Sequence, residues 1–214
     1  MTAGAHRILL DPFLDEQPTA PVKAADVEAD FILVSHGHFD HVADVASIAN
    51  RTDATVVSNF EISQWFSTQH GVKNVVGMNL GGGVELPFGR VKLTLAHHSS
   101  TLPDGSNGGS PGGFLLELGD RRVYFACDTA LFLDMKLIGN AGLDLAVLPI
   151  GDLYTMGVDD SIEAVRLLNP KRVLPAHYNT WPPIEQDAAG WAQRVRAHTS
   201  AEPVVLEPGK STDI

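Results

Sequence analysis

Four side chains able to coordinate a metal fall within six residues, His36-Gly37-His38-Phe39-Asp40-His41, just after the apolar run Phe31 to Val34. Imidazole and carboxylate donors at that density point to bound divalent cations. His36 and His38 lie where the predicted strand gives way to a helix, so two imidazoles one residue apart can converge on one ion. Asp40 and His41 fall at the helix start, where the macrodipole favours a carboxylate, and can address a second ion. Gly37 leaves room for the tight turn. A catalytic pair of ions, spaced by roughly 3.5 to 4 Å, needs more ligands than one hexapeptide supplies. The chain offers them at the ends of further apolar runs: His97 or His98 after Val91 to Leu95, Asp128 after Arg122 to Cys127, and His177 after Arg172 to Leu174. Neighbours on a strand point to opposite faces, which leaves open which of His97 and His98 is the ligand. With nitrogen and oxygen donors alone, zinc leads and manganese or iron remain compatible.

The elements that must position these groups are legible as short runs rich in branched residues. Strands are predicted at Arg7 to Leu10, Asp30 to Ser35, Ala54 to Val57, Val91 to Leu95, Phe114 to Leu118, Arg122 to Cys127, Leu145 to Pro149 and Arg172 to Leu174, with Val204 to Leu206 as a weaker last one. Helical patterns occupy Asp40 to Ala49, Glu61 to Thr68, Ser161 to Leu168 and Ala188 to His198. In the third, Asp160 or Ser161 can cap the start and Pro170 enforces the stop. Alternating strands and helices indicate an α/β class in which helices cover sheets. Ser99 to Gly113 is dominated by Gly, Ser, Pro, Asn and Asp, which predicts an irregular, mobile loop. Its place directly after His97-His98 suggests a lid over the site, against the plainer reading of a floppy hairpin connection.

Composition narrows the class. The chain has 214 residues, 44% of them hydrophobic, enough for one domain spanning residues 1–214. Fifteen Lys and Arg against 26 Asp and Glu leave a net charge of -11, which disfavours nucleic acid and favours a small-molecule substrate. Cys127 is the single cysteine, so no intrachain disulfide can form, and a reducing, cytoplasmic location is expected. No apolar run approaches the roughly 20 residues needed to cross a bilayer, and no signal-peptide core follows Arg7.

The strand followed by His-x-His-x-Asp-His resembles the signature of the metallo-β-lactamase fold superfamily. Asp11-Pro12-Phe13-Leu14, His98-Ser99-Ser100, Asp128 to Phe132, Asp134 to Ile138, Gly151-Asp152, Thr155-Met156-Gly157 and His177-Tyr178-Asn179-Thr180 extend the likeness along nearly the whole chain. They are similar to a branch of prokaryotic metal-dependent hydrolases related to ascorbate-6-phosphate lactonase and, more distantly, to the N-acylphosphatidylethanolamine phospholipase D group. The resemblance implies a four-layer αββα sandwich and two divalent ions. His36, His38 and His98 would bind the first, Asp40, His41 and His177 the second, and Asp128 would bridge them. It selects His98 over His97, makes Asp11 the carboxylate that orients a ligand imidazole, and offers Tyr178, Asn179 and Thr180 as substrate contacts. Members of the branch usually carry an extra strand pair before the Asp-Pro strand, so the first sheet is expected to lack its N-terminal edge hairpin, an edge that a homo-oligomer could cover.

Two ions sharing Asp128 would share a water and lower its pKa toward neutrality. The implied activity is hydrolysis by a metal-bridging hydroxide of an ester or lactone, phosphorylated or not, with Asp40 and Asp128 as the catalytic carboxylates. The alternatives are a phosphodiesterase or nuclease of the same fold, and a catalytically silent, metal-stabilised binding protein. Asp152 can orient ligand or substrate, or simply serve a turn. His6, His70 and His198 read as ordinary surface or core histidines, and Gly81-Gly82-Gly83 reads as a turn because no Lys-Ser or Lys-Thr follows. Cys127, preceding Asp128 on a strand, is expected to face away from the ions and pack as a small apolar side chain.

Overall fold

The computed structural model describes residues 1–214. Packing divides them into two compact units, Met1–Leu95 with Ser99–Gly112, and Ala96–His98 with Gly113–Ile214.

The first unit is built on a sheet of five strands, β1 (Thr2–Ala3), β2 (His6–Leu10), β3 (Phe31–Leu33), β4 (Thr55–Asn59) and β5 (Val75–Met78), in that spatial order. From β2 to β5 the pairing is parallel, with Ile8 opposite Phe31, Phe31 opposite Thr55 and Val56 opposite Val75. Phe31, Ile32, Leu33 and Val34 are all buried, as a central parallel strand requires. The edge expected to be missing is present in shortened form: β1 pairs antiparallel with β2 through only two residues. The predicted helix from Asp40 to Ala49 is two, α1 (Phe39–Val42) and α2 (Val45–Thr52). They part at Asp44, a buried carboxylate that accepts the amides of Leu14 and Asp15 at 2.6 and 3.1 Å and so competes with helix continuation. Next comes α3 (Phe60–His70), whose first turn is capped by the Asn59 side-chain oxygen accepting from the Ile62 amide. Val45, Ile48 and Ala49 of α2 and Ile62 and Phe66 of α3 join Ile32, Val34 and Val56 in one apolar core. A hairpin of β6 (Gly83–Leu86) and β7 (Gly89–Leu95) follows, with Gly81 and Gly82 in the turn before it.

The second unit carries β8 (Gly112–Leu118), β9 (Arg121–Phe125), β10 (Leu145–Pro149), β11 (Arg172–Ala176) and β12 (Glu202–Pro203), each paired with the next. Only β8–β9 is antiparallel. The last strand lies two residues earlier than predicted, although the Val204 amide still bonds to the Val173 carbonyl. Three helices belong here: α4 (Met135–Gly139), α5 (Val158–Leu168) and α6 (Ala188–His198). The residue at the N-cap of α5 is Gly157, not Asp160 or Ser161. Ser161 is instead fully buried, donates to the Val158 carbonyl and accepts the Trp191 indole N–H at 2.9 Å, tying α5 to α6. Trp191, Tyr124, Met135, Leu148 and Val165 form the centre of this unit's core.

Ser99 to Gly112 is an ordered arrangement of hydrogen bonds, which the composition did not convey. Thr101 bridges Asn107, and the Leu102 amide donates to the Ser106 carbonyl. Asp104 accepts from the Ser106 hydroxyl and amide and from the Trp65 indole, which together hold its carboxyl down to about 2. Leu102 is buried in the first unit's core.

Candidate metal centre

The His36–His41 run, Asp128 and His177 follow the C-terminal ends of strands that have a parallel neighbour, where an α/β sheet exposes its loops for chemistry, whereas His98 follows β7, which is antiparallel to β6. After β3, the chain passes through Ser35 and His36, both buried, to α1, with His38 in an extended conformation at its cap. His36 Nε2 faces His38 Nδ1 at 2.9 Å, so the structure brings the two imidazoles together.

Their outer nitrogens are held. Asp11, left-handed at φ 45° after β2, accepts the Ser35 amide on one carboxylate oxygen at 2.7 Å. Its other oxygen accepts the Ser35 hydroxyl at 2.6 Å and faces His41 Nδ1 at 2.9 Å. The Ser35 hydroxyl has one hydrogen to donate, and it donates it to the carboxylate. Ser35 Oγ is therefore the acceptor for His36 Nδ1–H at 2.9 Å, which leaves His36 Nε2 with a lone pair. By the same argument His41 donates Nδ1–H to Asp11 and presents Nε2 as a lone pair. Ser99 Oγ stands 3.1 Å from His38 Nε2. One carboxylate thus sets the tautomers of two histidines, one directly and one through a hydroxyl. Asp40, in the first turn of α1, lies 3.5 Å from His41 Nε2. The donor atoms of Asp11, His36 and His41 fall within 4.8 Å of one another. Two convergent imidazoles, a third fixed to offer Nε2 and a nearby carboxylate are a donor set that suits zinc or another first-row divalent ion.

The second unit brings together its three candidates. Asp128 Oδ2 lies 3.2 Å from His177 Nε2 and 3.6 Å from His98 Nε2, with the Asp128 side chain only 5% exposed. His97 turns elsewhere: its ring stacks on Phe132 at 4.9 Å, its amide donates to Thr129 Oγ1 and its carbonyl accepts the Ala130 amide. His177, Cys127, Asp152, Leu153 and Asn179 all take left-handed backbone angles just past β9, β10 and β11. Strained residues concentrate at functional sites, and these include the ligand candidate His177 and the residue directly before Asp128. Cys127 lies beyond the end of β9 at φ 54°, so strand alternation does not decide its direction; its thiol is directed at the Phe125 carbonyl, 3.8 Å away.

The remaining candidates have identifiable local duties. Asp152 closes a turn in which its carbonyl accepts the Thr155 amide. The Asn179 amide group accepts from the Gln186 amide at 2.7 Å and donates to the Gln186 carbonyl, pinning the segment before α6. Tyr178 packs against the core, and burial first, then Glu207, raises its phenol pKa. Thr180 is half-buried beside them. Ser35, Ser99 and Thr129, which hold ligands or the strand leading to them, could have been suspected only from adjacency to histidine or aspartate.

A family model of the beta-lactamase superfamily domain matches residues 6–178. A UPF0173 metal-dependent hydrolase of Thermus thermophilus is 49% identical over 210 residues, covering 98% of this chain and 92% of that protein. Another, from Pelotomaculum thermopropionicum, is 45% identical over 216 residues, covering 99% and 94%. Among solved structures, the metallo hydrolase Igni18 of the archaeon Ignicoccus hospitalis superposes with a TM-score of 0.85 at 35% identity, over 95% of this chain and 88% of that one. These likenesses define an enzyme of the metallo-β-lactamase fold, the α/β class expected from the sequence. Within that class, the chain belongs to the UPF0173 family of metal-dependent hydrolases. No helix is long and apolar enough to cross a membrane.

Proposed function

We propose that residues 1–214 act as one catalytic domain, a dinuclear hydrolase that cleaves an ester or lactone in a small molecule. His36, His38 and His98 would hold the first ion, Asp40, His41 and His177 the second, and Asp128 would bridge them. The observation that carries this reading is the position of Asp128 between two imidazoles, one assigned to each ion. The lone pairs left on His36 and His41 by Asp11 and Ser35 support it from the first unit. Divalent ions, zinc foremost, supply Lewis acidity and a water acidic enough to ionise near neutral pH when bound.

The chain's own residues do the rest. Asp11 and Ser35 keep two histidines in the tautomer that donates. Asp128, nearly closed off from solvent, and Asp40 are the carboxylates assigned to take up and return the proton of the attacking water and leaving group. No serine or cysteine nucleophile is required. The net charge of -11 favours a small substrate over a polyanion.

Purified protein should be assayed against lactone, carboxylic ester, phosphodiester and single-stranded RNA panels, with and without chelator. Chelator-sensitive turnover of lactones or esters is the expected result. Turnover confined to phosphodiesters or RNA would replace the substrate assignment.

A further inference from the structure

We infer that the segment Ser99–Gly112 is a fixed strap that positions the His36–His38 turn, with Ser100 as its positioning residue. The inference rests on the assignment of those two histidines to a common ion.

The contacts form a closed circuit. Ser100, 7% exposed, accepts the Gly37 amide on its hydroxyl oxygen at 3.0 Å and donates that hydroxyl to the Gly108 carbonyl at 3.1 Å. The Gly108 amide returns to the Ser100 carbonyl at 2.7 Å. One hydroxyl therefore joins the backbone between His36 and His38 to the start of the loop and to Gly108 further along it. Asn59, 3% exposed, donates its amide to the carbonyls of Gly108 and Ser110 while its oxygen caps α3, which anchors the strap to a helix. At the far end the Gly112 amide donates to the Ser35 carbonyl at 3.0 Å, beside the hydroxyl that fixes His36. Ser99, next to Ser100, faces His38 Nε2. The strap thus touches the residues on both sides of His36 as well as the His38 ring.

Fit as well as hydrogen bonding holds the strap down. A Cβ on Gly37 would meet Leu102 Cγ and the Ser100 carbonyl at 3.1 Å, and one on Gly108 would meet that carbonyl at 2.4 Å. Gly37 is needed because the strap approaches it closely, whereas the sequence suggested only the freedom of a turn. A lid must separate from the site, and separation would expose Leu102 and leave the amide of Gly37 and the carbonyls of Gly108 and Ser110 without these partners. Ser100→Ala removes the hydroxyl at the junction and lets the two histidines lose register with little change elsewhere.

The test measures cobalt(II) affinity by competition with a chromophoric chelator, together with the cobalt visible spectrum, for the full chain and its variants. Loss of a group that orients ligands costs roughly 10- to 100-fold in metal affinity. Ser100→Ala should weaken one site by that factor and shift the visible bands, with the far-ultraviolet circular dichroism of the metal-free protein unchanged. Wild-type affinity and spectrum would overturn the inference. Gly37→Ala, which keeps every hydrogen-bonding group but pushes the strap outward, decides on the same two readouts if Ser100→Ala does not fold. His38→Ala is the reference: wild-type binding there means the ligand assignment itself has failed, whereas weakened binding there beside wild-type Ser100→Ala refutes the strap alone.

Discussion

Replacing Asp11 by Asn changes one atom and should disable a ligand it never replaces. Asn tolerates the left-handed angle at this position, so the backbone need not move. The retained oxygen can still accept the Ser35 amide. The new NH2 then occupies the place of the oxygen that accepts the Ser35 hydroxyl at 2.6 Å and faces His41 Nδ1 at 2.9 Å. A donor now confronts two donors. Relief requires the Ser35 hydroxyl to turn away and His41 to move its proton to Nε2, the atom assigned to the metal. Each charge-assisted bond lost is worth about 1.5–3 kcal/mol, and disturbance of such a partner weakens metal binding by roughly 10- to 100-fold. Zinc affinity by competition titration should fall within that range. Long-range proton–nitrogen spectra of the metal-free protein should show the His41 tautomer exchanged. Affinity within twofold of wild type, with the tautomer unchanged, would refute the reasoning.

Other consequences follow from structure away from the candidate ligands. Asp144 is buried, with its carboxyl held below the ordinary 3.8 by Lys171 first, then by the Arg122 amide and Arg121. Its stabilising contribution is therefore fully present above that value and disappears as pH falls through the lower folded-state pKa. Asp144→Asn should lower the thermal midpoint at pH 7, and the gap to wild type should narrow below pH 3.8; a gap independent of pH would contradict this. Trp191→Phe removes the indole N–H that bonds to Ser161 and shrinks a side chain only 1% exposed. It should cost about 1–3 kcal/mol in denaturant unfolding, and an unchanged midpoint would show that the α5–α6 tie is unimportant. Leu102→Ala should cost about 2–5 kcal/mol, a large value for a residue in a glycine-rich loop, and a loss below about 0.5 kcal/mol by the same assay would mean the strap is not packed down.

The sequence was most legible where periodicity and burial agree. Leu145–Pro149 and Ala188–His198 have the boundaries their apolar patterns predict. β5 and β6 escaped notice because both are short and include glycine, and their few branched residues are only partly buried. The break between α1 and α2 depends on Asp44 being taken up by amides thirty positions earlier, which no local pattern reveals. At the candidate metal centre the types of the candidate ligands and their places after strands could be read directly. Of the groups that orient them, Asp11 was legible through the family resemblance, but Ser100 and Asn59 were not, because they act through backbone atoms far along the chain and the loop's turn-forming composition concealed a hydrogen-bonded strap.

The proposed site turns on Asp128 joining two ions. Metal content per chain, measured for wild type and Asp128→Ala after equilibration with zinc, tests it most directly. Two ions are expected in the wild type and one or none in the variant, whereas two ions retained in Asp128→Ala would rule the bridge out.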